Sequence, residues 1–214
     1  MKYAIFGTGG LGREVYILAK QAHPDFDDNF EGWYDDGAEK GSNVMGFPVL
    51  GSLQDLNARE SEIGLFMGLG DARTKKKVVK NITNKNINFP TLVHPDVDLE
   101  DYQDISFQQG TIIQQGCLLT TNIKLGEFVF LNLDCTVGHD TTIGSFSSFM
   151  PSVNISGDCI IEDTCYVGTN ATIINALRIG EGAVIGAGAC AAKDIAPNTV
   201  NVGVPSKSIK TIEE

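Results

Sequence analysis

Leu131-Asn132-Leu133-Asp134-Cys135-Thr136-Val137-Gly138-His139-Asp140-Thr141-Thr142-Ile143 is the stretch on which the fold turns. Leu131, Val137 and Ile143 stand six apart. The same register runs back through Leu125, Leu119 and Ile113 to Phe107, and forward through Phe149, Ile155, Ile161, Val167, Ile173 and Ile179 to Ile185, without a slip. A period of six fits neither the 3.6 of an α-helix nor the 2 of an ordinary strand, so the chain coils with a six-residue repeat. The left-handed parallel β-helix of hexapeptide repeats has that period. Three hexapeptides make one triangular turn, the large aliphatic residue points inward, and stacked turns bury a core that no single repeat could form. A β-sandwich of evenly spaced strands does not keep one register over so long a run.

The other positions of the repeat agree. Gly follows the large residue at 126, 138, 144, 168, 180 and 186, where a bend at a corner is expected to need a missing Cβ. Two residues before the large one the side chains are mostly small, among them Thr111, Cys117, Cys135, Thr141, Ser147, Cys159, Cys165, Ala171, Ala183 and Ala189. Four of the five cysteines sit at this inward position and are expected to behave as compact hydrophobes. With an odd total and no CxxC, neither a disulfide framework nor a zinc site is expected.

The chain has 214 residues, 42% of them hydrophobic, and a net charge of −11. That charge argues against a nucleic-acid partner, which would require Lys and Arg stripes. The one basic run, Lys75 to Lys77 with Lys80, reads as a solvated helix face. The apolar run Tyr3 to Phe6 is cut at once by Gly7, so neither a signal peptide nor a membrane span is expected and a cytoplasmic setting follows.

Ahead of the solenoid the pattern changes. Lys2 to Phe6 reads as a buried strand running into Gly7-Thr8-Gly9-Gly10-Leu11-Gly12, with helical spacing from Arg13 to Ala22. Further strands end at Trp33-Tyr34-Asp35-Asp36 and at Ile63 to Leu69, the latter followed by Gly70-Asp71 and a helix from Ala72 to about Ile82. The fold expected is therefore α/β plus β: a small Rossmann-like domain over residues 1–90, then a left-handed β-helix over residues 91–214 whose tail leaves the coil after Ala192 as a polar cap. The Gly7, Gly9, Gly12 pattern suggests backbone N–H groups open to a diphosphate at a helix N-terminus. The segment is too short for a full two-half dinucleotide fold, so a nucleotide with one base is favoured, with Asp35 and Asp36 receiving uracil or ribose hydrogen bonds. The bland alternative is that the glycines only make the turn.

Of the three histidines, His23 and His94 each precede a proline and read as surface or turn residues. His139 stands on the solenoid beside Asp140, where a carboxylate can fix the tautomer of a general base. A lone His on a flat β-helix face needs a wall from a neighbouring subunit. A single solenoid histidine also disfavours the three-imidazole zinc site of β-helical carbonic anhydrases.

Taken together, Gly7-Thr8-Gly9-Gly10-Leu11-Gly12, Asp35-Asp36, Gly70-Asp71, Gly138-His139-Asp140 and Val202-Gly203-Val204-Pro205-Ser206-Lys207 resemble the sugar O/N-acyltransferases of the sialic-acid O-acetyltransferase type, especially the nucleotide 4-amino-sugar N-acetyltransferases such as that of bacillosamine synthesis. The resemblance implies a homotrimer with active sites between subunits, acetyl-CoA in the groove between adjacent β-helices, no metal, and acetylation of the 4-amine of a UDP- or dTDP-linked 4-amino-4,6-dideoxy sugar. It makes His139 the base, Asp140 its partner and Asn132 a neighbour of the reacting amine. It places Ser148, Gly157, Thr169 and Ala187 at the coenzyme, and Gly9, Gly10, Leu11 and Gly70 with Asp35 and Asp36 at the nucleotide sugar. Many relatives have His in place of Leu11 and of Ser148; a hydroxyl cannot carry the charge of an imidazolium, so backbone donors would complete the oxyanion site. O-acetylation of a sialic acid or other sugar, a nucleotide-sugar-binding scaffold without turnover, and an ice-binding surface are the alternatives; no repeated Thr column supports the last.

Overall fold

The computed structural model describes residues 1–213. The chain begins with β1 (Tyr3–Phe6), α1 (Gly10–Ala22), α2 (Phe26–Asn29), β2 (Phe30–Tyr34), β3 (Asn43–Val44), β4 (Phe47–Gly51), α3 (Leu53–Asn57), β5 (Ile63–Met67), α4 (Ala72–Lys80) and β6 (Ile87–Asn88). These strands form one sheet in the order β3-β4-β2-β1-β5-β6, parallel except for the β3–β4 hairpin. Gly7 adopts φ +109 at the end of β1, a conformation that favours glycine. A Cβ on Gly12 would lie 1.9 Å from the Gly7 carbonyl oxygen, so α1 approaches the sheet only because position 12 is bare.

The remainder coils into a triangular prism of two- and three-residue strands. Its first face stacks Leu92–Val93, Ile112–Ile113, Phe130–Leu131, Ser148–Phe149, Tyr166–Val167 and Val184–Ile185. The second stacks Leu118–Leu119, Thr136–Val137, Asn154–Ile155, Thr172–Ile173 and Cys190–Ala191, and the third Ile105–Phe107, Ile123–Leu125, Thr142–Ile143, Ile160–Ile161 and Arg178–Ile179. From Ile113 to Ile185 the sixth-residue column is buried, with Phe149, Val167, Ile173, Ile179 and Ile185 fully so, and Cys117, Cys135, Cys159 and Cys165 lie in the same core.

The corners differ from expectation in one respect. The residues with positive φ are Asn122, Phe128, Asp134, Asp140, Phe146, Ser152, Asp158, Thr164, Asn170 and Ala176, with Gly110, Gly116, Gly182 and Gly188 in the same series. The left-handed step thus falls two positions after the glycines at 126, 138, 144 and 168. Those glycines are bare for another reason: a Cβ on Gly138 would lie 2.4 Å from the Gly157 nitrogen, and one on Gly168 2.5 Å from the Ala187 nitrogen, in the turn stacked against them.

The tail also departs from expectation. The chain does not leave the coil after Ala192: Ile195 bridges to Ile179, and Thr199–Val202 adds a strand parallel to Val184–Ile185. That turn is shorter than the rest, so the six-residue register loses it. Lys207–Thr211 then folds back antiparallel to Thr199–Val202 and closes the first face.

The α/β domain sits on the first face. Ile112 and Phe130, which point outward from the prism, are buried in its core beside Phe26, Phe30 and Trp33. Phe128 and Phe146, on the corner between the third and first faces, stack with ring centroids 5.2 Å apart and join the core formed by Phe6, Leu65 and Val78. The basic run is a solvated face only at Lys77 and Lys80, which are exposed; Lys75 and Lys76 turn toward the prism. Lys75 is only 2% exposed and its ammonium donates to Ser148 Oγ at 2.8 Å. Lys76 reaches Thr164 Oγ1 at 2.9 Å and Glu181 at 3.1 Å, and Arg73 donates to the Gly182 carbonyl and to Asn198 Oδ1. Among the described residues no helix is long and apolar enough to cross a membrane.

Phe149→Ala should cost about 3–5 kcal/mol, read as a lowered urea midpoint, because the stacked turns on either side cannot collapse onto the void. Burial pushes the Lys75 ammonium down from its ordinary 10.5 to about 7, with Asp71 pulling the other way. The unfolded chain therefore holds this proton over a range where the folded chain has released it, and stability rises with pH between about 7 and about 10. The wild-type urea midpoint should climb relative to that of Lys75→Met across this window; a flat difference would mean that the ammonium stays charged.

Candidate active site

Two glycines of the first turn are not required by packing. A Cβ on Gly9 or Gly10 would meet nothing within 4 Å. Gly9 is the N-cap of α1 and supplies no side-chain cap, so the first N–H groups of this 13-residue helix face an open approach. Gly7 and Gly12 make the turn; Gly9 and Gly10 leave the helix end bare, which is what an anionic group needs. The acidic pair braces the turn. Asp35 accepts from the Thr8 N–H and hydroxyl at 2.8 Å each and from the Gly37 N–H at 2.8 Å, while Asp36 accepts from the Leu53 N–H. Burial works against ionisation of Asp35, but these donors hold its carboxyl below the usual range.

The turn stands over the corner between the first and second faces. A Cβ on Gly70 would lie 3.1 Å from Leu11 and 3.8 Å from Met150, which follows the first face one turn below Asn132. Leu11 packs with Met150 in the apolar cluster of the domain, as a nonpolar residue would. A groove of about 550 Å³ opens beside Gly10, lined by Arg13, Gln114, Gln115 and Leu133. Asn132 is buried on this corner, and its Oδ1 accepts from the Leu133 N–H at 2.8 Å. Thr169 and Ala187 are exposed on the same corner further along the prism.

His139 and Asp140 occupy a different corner, between the second and third faces. The His139 Nδ1 lies 2.8 Å from Asp140 Oδ2, and the other carboxylate oxygen accepts from Asn122 Nδ2 at 2.6 Å. The Asn122 amide and then the imidazole hold the Asp140 carboxyl below its ordinary value. Gly157 lies under the ring, and a Cβ there would sit 2.6 Å from His139 Nε2. The imidazole itself is open to solvent, with its side chain 62% exposed. His94, by contrast, is buried and accepts the Asp96 N–H in its turn.

One chain therefore gathers the sequence-derived residues into two groups. Gly9, Gly10, Leu11, Gly70, Asn132, Thr169 and Ala187 share one corner with Asp35 and Asp36 behind the turn; His139, Asp140 and Gly157 share the next. Ser148 belongs to neither. Fully buried beneath Lys75, its hydroxyl is consumed by the ammonium, and the expectation of a coenzyme contact there is corrected. The sequence reading missed Asn122 and Gln114. Each stands 18 residues, one full turn, before a residue it had singled out, and that spacing is the signal that finds them.

Residues 2–82 match the PglD N-terminal domain. GDP-perosamine N-acetyltransferase of Escherichia coli O157:H7 is 29% identical over 172 residues, 80% of this chain and 77% of that protein. WeeI from Acinetobacter baumannii AYE superposes with a TM-score of 0.87 at 27% identity, covering 98% of this chain and 100% of its own. The acetyltransferase domain of PglB from Neisseria gonorrhoeae FA1090, solved in complex with acetyl coenzyme A, does so with a TM-score of 0.83 at 26% identity, covering 97% and 98%. With both domains matched in order, a glycine-bare helix end over one corner and an imidazole–carboxylate pair on the next, the chain is an acyltransferase of the left-handed β-helix fold, similar along most of its length to the GDP-perosamine N-acetyltransferase and to the PglB acetyltransferase domain.

Proposed function

We propose that this acyltransferase moves the acetyl group of acetyl-CoA to the 4-amine of a UDP- or dTDP-linked 4-amino-4,6-dideoxy sugar, and that each active site is completed by two subunits of a homotrimer. The observation that carries the reading is the bare N-terminus of α1 standing over the Asn132 corner. The sugar diphosphate lies against the N–H groups after Gly9, with the spare lone pairs of Asp35 and Asp36 toward the nucleoside. Asn132 orients the sugar amine. The corner bearing Thr169 and Ala187 offers backbone groups to the extended pantetheine arm.

His139 cannot act on a substrate held at the Asn132 corner of its own chain, because the second face separates them. The residues pointing outward from that face are Leu118, Thr136, Asn154, Thr172 and Cys190, a column without charge. Such a column suits burial against a second copy. Packed around a threefold axis, second faces bring the His139 corner of one protomer to the Asn132 corner of the next.

Asp140 holds the Nδ1–H tautomer, which leaves Nε2 to take a proton. As the amine nitrogen bonds to the thioester carbonyl carbon, His139 accepts the amine proton; when the C–S bond breaks, that proton goes to the departing thiolate. Alignment of amine and thioester in one complex supplies much of the rate, and a placed general base adds about 10²- to 10⁴-fold. No covalent enzyme intermediate is required.

Thiol release from acetyl-CoA, with UDP- and dTDP-4-amino sugars, GDP-perosamine and free sialic acid offered in parallel, tests the acceptor. Turnover confined to an amino sugar is expected; turnover with sialic acid alone would replace N- by O-acetylation. His139→Ala should lose about 10²- to 10⁴-fold in kcat with acetyl-CoA binding intact. Mixing unfolded His139→Ala and Asn132→Ala chains in equal amounts and refolding them together should restore about a quarter of the wild-type sites, since each interface draws one corner from each neighbour. No recovery from well-folded mixed assemblies would sink the shared site. Asn122→Leu should shift the acid limb of the kcat/KM profile while leaving the KM for acetyl-CoA unchanged, since its effect passes through Asp140.

A further inference from the structure

The prism has three corners, and the acyl-transfer reading uses two. Along the third, between the third and first faces, α4 lies in the seam with Arg73, Lys76, Lys77 and Lys80 at helical spacings of three and four, a single basic stripe in a chain of net charge −11. Lys77 and Lys80 are exposed, whereas Arg73 and Lys76 are half-buried against the prism. The stripe walls a cavity of about 380 Å³ whose other side is the prism corner, with Thr164, Gly182 and Asn198. Two of the cations are already fixed in direction: Arg73 by the Gly182 carbonyl and Asn198 Oδ1, Lys76 by Thr164 and Glu181. Among the described residues, Glu181 is the one carboxylate lining the cavity against four cations. Lys77 and Lys80 form no ion pair among the described residues.

Like charges three and four apart on a helix repel, and four of them converging on one cavity are held together at a cost that an anion would relieve. The spread of donors from Arg73 to Lys80, over two turns of α4, is too long for one small monoanion to bridge and suits linked phosphates, whose oxygens accept from several cations at once. We propose that this cavity is a second phosphate site, separate from the acyl-transfer corners, that takes a small molecule bearing a diphosphate or polyphosphate. Its walls come from both domains, so the bound anion clamps α4 to the prism. Because α4 starts directly after Gly70-Asp71, the clamp steadies the loop at the nucleotide-sugar end of the molecule. The phosphates belong either to a free nucleotide or to the phosphorylated adenosine end of the acyl donor.

The test is calorimetric titration of inorganic pyrophosphate into the full chain at about 50 mM salt, where screening is weak. Lys77→Glu/Lys80→Glu is compared with the charge-matched control Lys85→Glu/Lys193→Glu, whose lysines are exposed outside the cavity. The wild type and the control should bind alike, and the Lys77→Glu/Lys80→Glu variant should lose one bound pyrophosphate per chain or at least tenfold in its affinity. Equal titration of the wild type and the cavity variant, or an equal loss in the control, would overturn the site. The KM for acetyl-CoA in the cavity variant then names the source: a rise matching the lost pyrophosphate affinity assigns the cavity to the donor's phosphates, and an unchanged KM assigns it to a free nucleotide. None of these readings requires that the acceptor be an amino sugar, so the site stands or falls apart from that assignment.

Discussion

One backbone constraint governs the molecule: a residue in the left-handed region at every corner of the coil, every sixth position from Gly110 to Gly188. L-residues enter that region reluctantly, and Asn, Asp and Gly do so at least cost. Phe128, Phe146 and Ala176 occupy it against their own preference. Inward packing of the Leu, Ile and Val column over-determines the conformation, so the local cost is met by burial. Once each corner turns in the same way, residues 18 apart stack in register and every outward position acquires a fixed address on a face or corner.

Function is distributed by that addressing. The first face is covered by the α/β domain, which explains why its outward residues Ile112 and Phe130 are apolar although they point away from the prism core. The corner beyond it lies under the bare end of α1, and the next carries the imidazole–carboxylate pair over Gly157. Flat faces give no pocket by themselves. Depth comes from the seam between domains and, in the proposed trimer, from a neighbouring prism.

The prism was legible because large inward residues are chosen by one strong requirement, filling a narrow core, that tolerates little else. The strand, glycine turn and helix at Tyr3 to Ala22 were legible for a similar reason, since Gly7 and Gly12 are fixed by sterics. Corner residues were harder to read. Their common property is a φ angle, which Asp134, Phe146, Ser152 and Thr164 satisfy with unrelated side chains. The final turn escaped the register because it is shorter than its predecessors. Lys75 was misread because a helical charge run carries no mark of what it faces, and only the docked domain places it against Ser148. Asn122 was missed because its partner Asp140 is distant in sequence and adjacent only through the coil. For the site, the sequence supplied the chemistry of single residues, whereas their division between two corners follows from counting positions around the triangle.

The antiparallel return of Lys207–Thr211 bears on a hazard inherent in stacked parallel turns. A prism whose last turn exposes a row of unpaired N–H and C=O groups is a template on which another chain can add, turn upon turn, into a fibre. On the first face that row ends at Thr199–Val202, and the returning strand pairs with it in the opposite sense. Its residues are exposed and include Lys207 and Lys210, charges that oppose lateral addition. On this face the stack of parallel turns thus ends in an antiparallel, lysine-bearing edge, which is a poor template for a further parallel turn.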